Sequence, residues 1–167
     1  MKDDRAKKMY DYHVWANQKV FEHLKQLPEE VYKEQINSVF SSISDVMVHL
    51  YATDITWLET MKESSYEDTV TAVNRRKQEA SEGSIEELER LYHSLSEEYY
   101  RFFAEQQDSE SIIITEHPRF GRTEFVLADL IHHVVNHGTY HRGNISAMLH
   151  QQGERGVPTD YVYFLFK

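Results

Sequence analysis

Leu130-Ile-His-His-Val-Val-Asn-His137-Gly-Thr-Tyr-His141-Arg-Gly-Asn-Ile145 is the stretch on which the reading of this chain turns. With Leu130 as origin and about 100° per residue, His137 falls near -20° and His141 near +20°, where a bundle helix would carry leucine. Leu127, Val134, Ile145 and Met148 share that face, so the spacing predicts a long amphipathic helix from near Thr123 to Gly153. His132 and His150 fall on the opposite side and His133 at the edge.

Two imidazoles at i and i+4 project from successive turns with Cβ atoms about 6 Å apart, a spacing that grips one metal ion from a single helix. A third histidine of the same helix cannot join them, because His133 stands about 12 Å along the axis from His141. The third ligand has to come from another helix. His49, among Val46, Met47, Val48 and Leu50, is the first candidate, although it lies about 100° from Leu50, on the flank of its stripe. His13, central on the first helix, is the rival, and its plain alternative is that of a satisfied core residue. His23, His93, His132 and His150 read as surface residues, and His117, before Pro118, as a loop residue with no role.

Working outward, a first helix is predicted from Asp4 to Gln26, with Met9, His13, Ala16, Val20, Leu24 and Leu27 in one stripe and Pro28 barring continuation. Ser42-Ile-Ser-Asp45 resembles a capping box and opens a second helix to about Glu63, with Ile43, Val46, Met47, Leu50, Trp57 and Met61 facing inward. Residues 64–83 are polar and read as a linker whose middle is helical or loose. Ser84-Ile-Glu-Glu87 caps a third long helix to about Gln107, with Leu88, Leu91, Leu95, Tyr99, Phe102 and Phe103 apolar. Ser111–Thr115 and His117–Gly121 suggest an extended segment and turn, or a small hairpin. Four long amphipathic helices predict an all-α four-helix bundle, and 167 residues suit one domain spanning 1–167. The aromatic tail from Val157 to Phe166 is expected to pack on the bundle or on a second subunit.

Composition narrows the function. Net charge is -10, which disfavours the phosphate backbone of nucleic acid. Without cysteine, there are no disulfides, thiolate ligands or cysteine nucleophile, so any metal is held by imidazole, carboxylate or water, and thiol chemistry needs a thiol from outside. Met1–Tyr10 is charged and no apolar run reaches membrane-spanning length, so neither signal peptide nor anchor is expected and a cytoplasmic location is.

The Leu130–Ile145 run, together with Val48-His49-Leu50 through Trp57-Leu58 and Tyr12-His-Val-Trp-Ala-Asn17, resembles the DinB/YfiT-like superfamily over essentially the whole chain. The His-x-x-x-His-Arg-Gly segment is its most specific part. The resemblance implies a four-helix bundle, often a homodimer, with nickel or zinc on three histidines, here His49, His137 and His141. It also implies low-molecular-weight thiol transferases of the bacillithiol or mycothiol type and a thiol-dependent isomerase among the relatives.

Three imidazoles leave at least one coordination position open, the arrangement of a catalytic zinc site rather than a closed structural one. Two readings follow: a metal-dependent transferase that activates a small thiol for attack on an electrophile, and a non-catalytic metal-binding or stress-associated protein. No residue is singled out as a catalytic acid or base. Each ligand's second N–H calls for an acceptor, and Asp54, Asp129 and Asn136 lie nearby in sequence without a position that the sequence fixes. Arg142, near 120° on the wheel, is expected to point away from the core into a salt bridge or subunit contact. Gly138 and Gly143, each costing about 1 kcal/mol in a helix, suggest close helix approach. Trp15 is expected on the outer face and Trp57 in the core.

Overall fold

A computed structural model describes residues 5–166. Seven helices and one two-stranded sheet follow in the order α1 (Arg5–Leu24), α2 (Glu29–Lys33), α3 (Ile43–Met61), α4 (Tyr66–Glu82), α5 (Ile85–Glu105), β1 (Ile112–His117), β2 (Gly121–Val126), α6 (Leu127–Gln151) and α7 (Tyr161–Leu165). The expected start at Asp4 lies outside the described residues.

The caps explain the boundaries. Ser42 accepts from Asp45 N and opens α3. Ser84 and Glu87 form a reciprocal capping box that opens α5. The α1 helix ends before Pro28, which in turn becomes the N-cap of the short α2. At the far end Gly153, with φ of 81°, closes α6 as Glu154 N bonds back to Leu149 O.

Two boundaries differ from expectation. Residues 64–83 are not a loose linker: Ser65 accepts from Asp68 N, and α4 follows. Only Ala80 of α4 is fully buried, but Arg76 forks onto both carboxylate oxygens of Glu98, at 3.2 and 2.9 Å, and donates to Tyr51 Oη, which ties α4 to α5 and α3. Of the two readings of this stretch, helical or loose, the helical one holds, and it extends over Tyr66–Glu82.

The second difference lies before α6. Thr123 to Val126 are strand, pairing antiparallel with Thr115 to Ile112, and the helix starts only at Leu127. Thr123, Phe125 and Val126 favour a pleated surface. The side chain of Val126 caps nothing, so the first helical N–H groups donate instead to Ser111 O and Ser109 O.

The core lies where α6 packs against α1 and α3, with α5 against both α1 and α3. Tyr10, Phe21, Met47, Leu50, Tyr51, Ile55, Tyr99 and Phe103 are fully buried there. The tail closes over α1: Tyr12 Oη donates to Thr159 O at 2.8 Å, and Phe164 covers Trp15 with ring centres 5.8 Å apart. Trp15 is thus partly covered by the chain itself. Among the described residues no helix is long and apolar enough to cross a membrane.

Candidate metal centre

The α6 helix presents two i, i+4 pairs displaced by one residue. His137 and His141 face α3; Gly138 and Arg142 face α1. About 100° of rotation per residue sends neighbouring side chains to different partners.

On the α3 side, one nitrogen from each of His49, His137 and His141 lies within 4.8 Å of the other two. The Nε2 atoms of His137 and His141 are 3.1 Å apart. The rings of His49 and His141 are centred 4.7 Å apart, and Phe40 covers both at 5.1 and 5.4 Å. His49 therefore reaches the pair from the flank of its stripe.

Electrostatics keep this cluster unprotonated at neutral pH. Burial, reinforced by His141 and His49, pushes His137 down to about 4. Burial also lowers His49, with Lys77 adding to the effect, and lowers His141, with His49 adding. Each ring consequently retains a nitrogen lone pair for a cation. Nδ1 of His137 is buried without a hydrogen-bond partner. The donor set fits a borderline divalent cation: three neutral imidazoles whose nitrogens converge, with no carboxylate among them.

Asn144, which the sequence reading did not single out, places its amide 3.2 Å from His141 Nδ1. Turned so that its oxygen accepts the Nδ1 proton, that amide leaves Nε2 as the lone-pair donor. The signal was its i+3 position after His141. Neither Asp129 nor Asn136 meets the cluster, and both are exposed. His133 lies against Trp57 at 4.4 Å and stacks on His137 at 6.0 Å. Trp57 is therefore only partly buried, at the edge of the core.

On the α1 side, His13 is a core residue and not a ligand of this cluster. Its Nε2 lies 2.8 Å from Asp54 Oδ2 and 3.0 Å from the Asn17 amide, while Nδ1 faces Arg142 Nη1 at 3.4 Å. Arg142 is the clearest correction, because it is 2% exposed rather than turned to solvent. It donates to Asn17 Oδ1 and Thr139 Oγ1, both at 2.9 Å, and lies over the Tyr12 ring at 5.5 Å. The wheel angle was adequate; the error lay in treating the side toward α1 as solvent. Asp54, which the sequence leaves unplaced, balances this charge through His13.

Gly138 makes that packing possible. A Cβ there would stand 2.5 Å from the His13 ring and 2.8 Å from Arg142 Nη1. Gly143 has open space at the same position, so close approach explains only the first glycine. His117 ends β1 between the Tyr66 and Phe120 rings, and His23 bonds Arg155 O at 2.9 Å; His93, His132 and His150 are exposed.

Comparison with known proteins agrees with this arrangement. The DinB family model matches residues 1–167. Protein DinB of Bacillus subtilis (strain 168) is 42% identical over 163 residues, covering 98% of this chain and 95% of that protein. With the histidine cluster, its helical frame and a match along the whole length in agreement, the chain belongs to the DinB family.

Proposed function

We propose that His49, His137 and His141 hold one divalent ion, zinc or nickel, and that the centre activates a low-molecular-weight thiol of the bacillithiol type for transfer to an electrophile. The observation that carries this reading is the convergence of three imidazole nitrogens within 4.8 Å, all with lowered affinity for protons. When bound, such an ion supplies Lewis acidity and lowers the pKa of a thiol or water in its open position. The chain's own part is to hold the three rings neutral, to orient His141 through Asn144, and to shield the cluster with Phe40. In the reaction the thiol loses its proton, its sulfur bonds to the electrophilic carbon, and the leaving group departs with the bonding pair. The missing cysteine supports a thiol from outside. We further read α1, α3, α5 and α6 as the four-helix bundle of this superfamily, and the protein as a cytoplasmic homodimer.

Elemental analysis of untagged protein tests the centre. Near one ion per chain is expected, lost in His137→Ala and in His141→Ala while helicity persists. Conjugation of a model electrophile that requires both the ion and an added thiol tests the chemistry. A loaded protein that is inert across thiols would leave a non-catalytic metal protein, and a chain that takes up no ion would remove both readings.

A further inference from the structure

A second cavity lies beyond the cluster, where α3, α4 and the β1–β2 hairpin meet. Its volume is about 410 Å³, within the range of small-molecule sites. Trp57, Tyr66, Val70, Val73, Phe120 and Phe125 supply most of its wall. Thr56 begins it seven positions after His49 on α3, a rise of about 10 Å. A continuous series of rings joins the two: His137 stacks on His133 at 6.0 Å, and His133 lies against Trp57 at 4.4 Å.

The lining selects a ligand class. No lysine or arginine contributes to it, and its one acidic side chain is Glu116. Apart from His117, an anion would find no side chain there that can carry positive charge. The Thr56 and Thr60 hydroxyls spend their protons on Ala52 O and Thr56 O, at 2.9 and 2.8 Å. They therefore offer the cavity only acceptor lone pairs. The aromatic and aliphatic wall and the lack of lysine and arginine favour an uncharged, largely apolar molecule over a carboxylate or phosphate, and the Thr56 and Thr60 lone pairs suit one donor group on it.

We infer that this cavity binds the uncharged, largely apolar body of a small molecule, with Trp57 as the wall shared with the histidine cluster. Only the identification of that molecule as the electrophile rests on the proposed function; the binding site itself does not.

Fluorescence titration of the full-length, metal-free chain with N-phenyl-1-naphthylamine, a neutral three-ring aromatic probe with one N–H, tests the site. One saturable site per chain is expected, with quenching of tryptophan emission. Val70→Trp, which fills the cavity from α4, should weaken binding at least tenfold. Phe120→Ala on the exposed hairpin tip should weaken it severalfold and serves if the first variant misfolds. The sulfonated analogue 1-anilinonaphthalene-8-sulfonate should bind at least tenfold more weakly. His141→Ala should bind the neutral probe as wild type does, so loss of the metal reading and loss of this one are separable. Unsaturable binding, wild-type affinity in both cavity variants, or equal affinity for the sulfonate would overturn the inference. So would probe affinity that falls as protein concentration rises, since a second copy would then occupy this face.

Discussion

Two polar clusters flank the same turns of α6, and they differ in kind. Toward α1, His13, Asn17, Asp54 and Arg142 form a mixed set of donors and acceptors around a buried charge. Toward α3, His49, His137 and His141 bring three like groups together with no carboxylate or cation among them. The first set is largely answered by its own members, leaving only Asp54 Oδ1 and Arg142 Nε without a protein partner. The second leaves His137 Nδ1 without a partner, and its converging nitrogens suit an electron-pair acceptor. Burial does not separate a structural cluster from a functional one here, because His13 and His141 are both buried. The complementarity of the partners does.

The comparison is broken most severely by Arg142→Ala. Removing one member of the buried set leaves Asp54 without its balancing charge and should cost about 3–5 kcal/mol, read by urea unfolding. A loss below about 1 kcal/mol would show that the α1 network is not structural. Next in size is the metal term. At an ion concentration of 100 Kd, loading should stabilise wild type by about 2.7 kcal/mol and His137→Ala by almost nothing, read as a shift in melting temperature.

The same measurement carries a pH signature. His137 titrates at about 4 when folded against an ordinary value of 6.5, so the native chain binds fewer protons between those limits. The stability associated with the neutral ring is thus fully present above about 6.5 and lost as pH falls through about 4, while protons displace the ion over the same interval. Ion affinity that is flat down to pH 4 would place the metal elsewhere.

Gly138→Ala forces the two sides against each other. Overpacking against His13 exceeds the gain in helix propensity and should cost about 2 kcal/mol. Gly143→Ala, with open space around it, should instead stabilise by a few tenths to about 1 kcal/mol. The smallest effect belongs to Asn144→Ala, which should lower ion affinity about tenfold, or about 1.4 kcal/mol, with little change in the metal-free melting point.

Much of this contrast was legible in the sequence. The i, i+4 pair placed His137 and His141 on one face, whereas His49 stood on the flank of its stripe with His13 as rival, and the packing of α3 on α6 decides between them. The Ser84 capping box and Gly153 marked true ends. What remained hidden depended on tertiary partners. Arg142 reads as a surface residue until α1 is seen to carry His13 and Asn17 against it. Residues 66–82 carry only a thin apolar stripe, Tyr66, Val70, Val73 and Ala80, in a polar stretch, so Ser65 and Asp68 mark the start of α4 more clearly than its apolar face does. Thr123 to Val126 continue the helical pattern in sequence, but their register with Ile112 to Thr115 is decided by pairing across the hairpin.

The seam between α1 and α6 joins the two ends of the chain. Tyr12 and Thr159 are 147 positions apart, and His13 and Arg142 are 129 apart. Contacts of such separation form late, because closing a long loop costs entropy before any contact rewards it. His137 and His141 meet His49 only when α6 docks, so no earlier intermediate offers three nitrogens at once. In stopped-flow chevrons, added zinc should therefore leave the refolding limb in place and slow unfolding, making the ion a latch on the finished molecule and not a template for its assembly.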